Sequence, residues 1–188
     1  MNPRLVYRII ELLWAILVFY WILRSFGNKR TKIRQNRRLG LIYLILAVTV
    51  LVISPHSSRR IFLLPINIDT QLLGIVLCAA GLALAIWARI ILGRNWSGFV
   101  VIKEDHELIQ RGPYNVVRHP LYTGLILAIL GTVIAVAPTL HGLLLVAAWL
   151  IAFYLKSRGE ERILSQEFGE QYAAYRRRVT AAIIPLML

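Results

Sequence analysis

At 188 residues the chain has the length of one ordinary domain, but 58% of it is apolar and its mean hydropathy is +0.65. Its long apolar stretches exclude a soluble domain, because a hydrocarbon core about 30 Å thick takes roughly 20 apolar residues per helix and several stretches meet that length. The net charge of +13 does not point to nucleic acid: Lys and Arg crowd the loops beside apolar runs, the pattern of membrane orientation and attraction to anionic lipid.

The predicted architecture is an all-α integral membrane protein forming one domain over residues 1–188, with about five transmembrane helices at 5–26, 39–54, 71–92, 121–137 and 140–157. The first run, from Leu5 to Phe26, has no small-residue cleavage site and contains Arg8 and Glu11, so it reads as a retained helix. Arg8 lies one turn from Glu11 and is its expected partner. Lys29, Arg30, Lys32, Arg34, Arg37 and Arg38 follow, which makes that loop cytoplasmic. Counting helices forward places the 93–120 segment and the C-terminal tail on the same side, and both are basic. The N-terminus is then outside or lumenal and the C-terminus cytoplasmic.

The Ser54–Ile68 loop carries Ile61-Phe62-Leu63-Leu64 and is expected to rest on the outer interface. Asp69-Thr70 is the expected cap of the third span. Cys78, the single cysteine, falls inside that span and reads as a packing residue. Arg89, near the cytoplasmic end, is expected to snorkel. Beyond it Trp96 suits an interfacial anchor, and the segment from Phe99 to Ile109 reads as a short hairpin or extended flap.

The stretch from Gly112 to Gly124 is polar, aromatic and twice punctuated by proline. Pro113 opens a short helical turn, Arg118-His119 closes it, and Pro120 begins the fourth span. Pro138-Thr139 then forces a tight hairpin into the fifth span. After it, Glu160-Glu161 sits at the predicted first turn of an amphipathic interfacial helix with Ile163, Leu164, Phe168, Tyr172, Tyr175 and Val179 on its apolar face.

Metal binding is not expected: His56, His106, His119 and His141 are scattered, and no Cys pair or His-x-x-x-His spacing occurs. No Gly-x-Ser-x-Gly turn and no glycine-rich phosphate loop occurs either. What remains is a constellation. The short fourth and fifth spans return Lys156, Arg158 and Glu160-Glu161 to the level of Tyr114, Arg118, His119 and Tyr122. Each stretch alone also fits an interfacial anchor or a helix cap; together they fit two walls of one cytoplasmic pocket.

These residues resemble the integral-membrane methyltransferases of the isoprenylcysteine carboxyl methyltransferase and phospholipid methyltransferase group. The similarity rests on Gly112-Pro113-Tyr114, Arg118-His119-Pro120-Leu121-Tyr122-Thr123-Gly124, Glu160-Glu161 and Phe168-Gly169-Glu170-Gln171-Tyr172 through Tyr175, with Leu92-Gly93-Arg94-Asn95-Trp96-Ser97 and His106-Glu107-Leu108-Ile109. It covers roughly residues 90–180; residues 1–70 match only in being hydrophobic, and 71–188 form the methyltransferase-like core. The resemblance implies S-adenosylmethionine as cofactor. It implies contacts from His106, Glu107, Leu108, Ile109, Tyr114, His119, Pro120, Leu121, Tyr122 and Glu160, to which the residue chemistry adds Arg118 as a second group for the carboxylate or ribose.

The resemblance also implies an arginine for a substrate carboxylate, at a position that in this chain falls on Lys156, with Arg158 two residues on. Lysine there lacks the guanidinium fork of arginine. Together with Glu161, Lys156 and Arg158 are the catalytic candidates. A carboxylate or thiolate acceptor needs no base, whereas an amine or phenol would draw on Glu161 or His119. The acceptor stays open among prenylcysteine, phospholipid amine and other lipid. Two other readings use the same stretch: an NADPH-dependent membrane reductase of the sterol-reductase type, and a non-catalytic membrane scaffold.

Overall fold

The computed structural model describes residues 1–25, 31–34, 61–93, 101–103 and 107–184. Four helices dominate: α1 Pro3–Ser25, α2 Ile68–Leu92, α3 Pro120–Val136 and α4 Leu140–Arg178. A 3-10 turn covers Gly112–Asn115, and two short strands, β1 Thr31–Arg34 and β2 Val101–Lys103, pair antiparallel. Among the described residues three helices, α1, α2 and α4, are long and apolar enough to cross a membrane, and α3 is apolar but only 17 residues long. The chain is an integral membrane protein. The expected second span, Trp96 and His106 lie outside the described residues.

Helix boundaries follow from local chemistry. The start of α2 is capped by Asn67 and not by the expected Asp69-Thr70. The Asn67 side chain accepts from the Thr70 N–H at 2.9 Å, and the Thr70 hydroxyl accepts from the Asn67 N–H at 3.1 Å. Thr70 therefore closes a reciprocal capping box three residues into the helix. At the other end Gly93, with φ +56°, turns the chain out of α2. Pro120 stands at the first position of α3, where its missing N–H costs nothing. Only residues 137–139 separate α3 from α4, and Thr139 caps α4 by accepting from the Gly142 N–H at 3.2 Å.

The α2–α3 pair is antiparallel and unusually close. Gly74 faces Ala135 and Gly131, and Gly81 faces Ala128 and Gly124. A Cβ on any of these four glycines would come within 2.3–2.5 Å of backbone across the interface. Two stripes of small residues, one on each helix, let the backbones touch, which is how helices gain packing where lipid supplies no hydrophobic drive. Cys78 is fully buried in this seam, as expected of a packing cysteine. Helix α1 adds Val6, Ile10 and Leu17 to the same core, and Trp14 donates to the Thr132 hydroxyl of α3 at 3.0 Å.

Arg89 ties the ends of α1 and α2 together. It does not snorkel. Its side chain is buried and donates to the carbonyls of Gly93 at 2.5 Å and Arg24 at 3.1 Å, the otherwise unsatisfied acceptors of two helix C-termini. α1 and α2 thus end at the same level, and the loops that follow them meet in the β1–β2 pair. Within the 99–109 segment, the described strand Val101–Lys103 pairs with Thr31–Arg34. Glu11 and Arg8 are both exposed and form no ion pair with each other, so the expected intrahelical partner is not used.

At the opposite end of the bundle Ile61–Leu63 runs against Pro138–Leu140, with Leu63 N–H to Pro138 O at 2.8 Å and Leu140 N–H to Ile61 O at 2.9 Å. Ile61, Phe62, Leu63 and Leu64 face outward there.

The largest departure from expectation is α4. No helix begins at Glu160-Glu161: α4 runs unbroken through them from Leu140, and its helical dihedrals fail only at Gly169, with φ +50°. The two glutamates are therefore not first-turn residues and draw nothing from a helix N-terminus. Beyond Gly169 the apolar face folds onto protein, with Tyr172, Tyr175 and Val179 buried against Leu108, Leu164 and Phe168.

Candidate active site

Glu160 is the twenty-first residue of α4, so it lies about 30 Å along the axis from Leu140, at the far edge of a hydrocarbon core of about 30 Å. It therefore meets the corner that precedes α3. Two prolines and a glycine shape that corner. Gly112, at φ +62°, turns beside Ile91 and Trp87. Pro113 lies in the 3-10 turn as expected, and His119 is the residue before the first turn of α3.

Arg118, His119 and Tyr122 from this corner meet Glu160 and Glu161 directly. Arg118 Nε is 2.7 Å from Glu161 Oε1. His119 lies between the carboxylates, with Nδ1 3.4 Å from Glu160 Oε2 and Nε2 3.4 Å from Glu161 Oε1. The Tyr122 hydroxyl donates to Glu160 Oε1 at 2.5 Å. Arg118, His119 and Glu161 are buried, and Glu160 keeps 21% of its side chain exposed. The sequence-predicted walls are thus one ion-paired cluster.

The electrostatics follow from that geometry. Burial opposes the charged His119 ring, but hydrogen bonding and attraction from Glu160 and Glu161 outweigh it and raise its pKa. Burial likewise opposes both carboxylates, yet His119 with Tyr122 and Lys156 lowers Glu160, and His119 with Arg118 lowers Glu161 to about 2.

An aromatic column leads away from the cluster. His119 stacks on Tyr122 at 5.6 Å, Tyr122 on Phe153 at 4.9 Å, and Phe153 tilts against Trp149 at 5.3 Å. Lys156 Nζ stands 5.4 Å from the centre of the Tyr122 ring. Arg158 is exposed, two residues before Glu160 on α4. Pro120 and Leu121 are buried beneath the corner as packing.

Tyr114 is buried on the other side. Its hydroxyl reaches Ala88 O at 3.5 Å and its carbonyl accepts from the Tyr175 hydroxyl at 2.8 Å. Burial pushes the Tyr114 phenol well above its usual range. Glu107, Leu108 and Ile109 border a cavity of about 470 Å³, completed by Gln110, Arg111, Asn115 and Arg178. Those last four were not legible as site residues, because each is an ordinary surface polar group in sequence. The distal pair Gln110–Arg178, 2.7 Å apart, is made only when α4 folds back.

Comparison with known proteins fits this arrangement. The family model described as phospholipid methyltransferase matches residues 70–171, more than half the chain and beginning well before the segment on which the sequence resemblance rests. Protein-S-isoprenylcysteine O-methyltransferase B of Arabidopsis thaliana is 29% identical over 112 residues, 58% of this chain and 57% of that protein. Protein-S-isoprenylcysteine O-methyltransferase of Schizosaccharomyces pombe is 34% identical over 98 residues, 51% of this chain and 42% of that protein. Cobalt-zinc-cadmium resistance protein CzcN of Cupriavidus metallidurans is 32% identical over 91 residues, 48% of this chain and 42% of that protein. The aligned part spans about half the length of these relatives. With the Arg-His-Pro-x-Tyr corner and the Glu-Glu pair joined in one buried cluster inside the matched region, the chain belongs to the phospholipid methyltransferase family.

Proposed function

We propose that the chain is a membrane-embedded methyltransferase that uses S-adenosylmethionine to methylate a lipophilic acceptor at the cytoplasmic face. The observation that carries this reading is the His119–Glu160–Glu161 cluster, which joins two sequence-distant elements of the family-matched segment at the edge of the membrane. The residues suit the cofactor's charges. Glu160 is anionic and partly exposed, placed to pair with an ammonium. The cavity at Glu107–Arg111 has the size of a small-molecule pocket, roughly 300–1,000 Å³, and its amide and charged groups suit ribose hydroxyls and a base. Bound there, S-adenosylmethionine supplies an electrophilic methyl group.

The protein's own part is positioning, charge and exclusion of water. Neither ionisable candidate is a good proton acceptor: Glu161 is held near 2 by His119 and Arg118, and His119 is biased toward its protonated form. That favours an acceptor that arrives already deprotonated. A carboxylate fits, with Lys156 as the nearby cation, and agrees with the O-methyltransferase names of the relatives. We infer a prenylcysteine-type carboxylate before a phospholipid amine. Arg158 serves the headgroup region from outside the cluster.

The finer topology belongs to this reading: five spans, an outside N-terminus, and a cytoplasmic site beside the interfacial stretch after Gly169. It is supported by the basic loops and by the common level of the α1 and α2 ends and the corner. The test is methyl transfer from labelled S-adenosylmethionine to a farnesylcysteine carboxylate, its preformed methyl ester, and phosphatidylethanolamine. Label on the free carboxylate alone is expected. Label on the amine lipid alone contradicts the acceptor assignment.

A further inference from the structure

We propose that Val179–Ile184 is a strap that sets the position of the Arg118–His119 corner, and that Arg118 is the positioning residue that latches it. Its functional consequence rests on the methyltransferase reading. After α4 ends at an extended Val179, the chain crosses the corner and bends at residues 182–184. The Arg118 N–H donates to Ala181 O at 3.0 Å, and the His119 N–H to Ala182 O at 2.8 Å. The Thr123 hydroxyl donates to Ile183 O. Side chains alternate as in a strand: Val179, Ala181 and Ile183 are buried, Thr180 is exposed. Ile183 packs with Ala88, Tyr114, Leu121 and Tyr122, directly under the cluster. The family match stops at residue 171, so the strap lies outside it.

The need for a strap is physical. Arg118 and His119 precede α3, so their N–H groups have no helical acceptor, and a buried N–H left without one is destabilising. The tail supplies both carbonyls. Arg118 then fastens tail to helix: Nε bonds Glu161 Oε1 at 2.7 Å, while Nη1 bonds Val179 O at 2.7 Å and also Thr180 O. This uses the guanidinium fork in two directions at once, which a lysine ammonium cannot reproduce with the same geometry. Nε and Nη1 are thereby committed to the protein. What Arg118 fixes is His119, whose ring faces Glu160 and Glu161, with Tyr122 stacked on it, Lys156 beyond Glu160 and Arg118 beyond Glu161.

The experiment follows the His119 ring resonances against pH in the full chain, in a chain ending at Arg178, and in Arg118→Lys and Thr123→Val. S-adenosylmethionine affinity is measured on the same samples. Loss of the strap is expected to move the His119 midpoint down toward the ordinary 6.5 and to weaken cofactor binding about tenfold or more. Arg118→Lys and Thr123→Val shift both in the same direction by less, and a peptide of residues 179–188 partly restores the truncated chain. An unchanged midpoint in the truncated chain overturns the strap. If that chain does not stay folded, an unchanged midpoint in both point variants does so. If the full chain binds no S-adenosylmethionine, the methyltransferase reading falls while the His119 midpoints still decide the strap.

Discussion

His119 between two carboxylates makes stability depend on pH in both directions. Its pKa is raised above 6.5, so its contribution is complete below about 6.5 and is lost as pH rises through the raised folded value. Glu160 and Glu161 are lowered, so theirs is complete above about 4.5 and is lost as pH falls, for Glu161 toward about 2. Stability of the ligand-free protein should therefore be greatest between about 4.5 and 6.5. In His119→Asn the alkaline decline should disappear. Thermal unfolding in detergent across pH checks this, at about 2–4 °C per kcal/mol for a chain of this size. A variant with the same alkaline decline as the wild type would place the titrating group elsewhere. The cluster itself was legible from the sequence, because Arg-His-Pro-x-Tyr and Glu-Glu are distinctive and the hairpin at Pro138-Thr139 forces them together. Its ion-paired state was not: pairing depends on side-chain register between α3 and α4, which spacing alone leaves undetermined.

At the scale of elements, the helices and the hairpin at Pro138-Thr139 were readable, while the cap of α2 and the course of α4 were not. Apolar runs gave α1, α2 and α3 to within a few residues. Asn67 was missed as the cap because Asp69-Thr70 carries the same signal, and only the reciprocal bonds between Asn67 and Thr70 decide between them. The charged run around Glu160 looked like a new helix start, yet Gly159 is buried and helical, and the break comes ten residues later at Gly169. The α2–α3 seam left a sequence trace in the seven-residue spacing of Gly74–Gly81 and Gly124–Gly131, but such spacing shows contact only once two helices are known to be neighbours. The seam makes a direct prediction. Gly81→Ala puts a Cβ 2.4 Å from the Ala128 nitrogen and 2.5 Å from the Gly124 oxygen. Overpacking of this kind costs about 1–3 kcal/mol, so the detergent-solubilised variant should melt several degrees lower. An unchanged melting temperature in Gly81→Ala would contradict the close-approach argument.

For the whole molecule, composition alone made this a membrane protein, and the basic loops gave a consistent orientation. The β1–β2 pair and the tail's return to Arg118 were beyond sequence reasoning, because both are contacts between segments with no shared pattern. The resulting design places a rigid, glycine-seamed helix pair in the bilayer and holds an ionic cluster at its edge. Everything about function turns on whether that cluster binds S-adenosylmethionine. Calorimetric titration of the purified protein and of Glu160→Gln, each with S-adenosylmethionine and with NADPH, measures this directly. The wild type should bind S-adenosylmethionine and not NADPH, and Glu160→Gln, still folded, should lose about tenfold or more in affinity, the loss of one charge-assisted bond. Binding of NADPH instead, or undiminished S-adenosylmethionine affinity in Glu160→Gln, would contradict the account.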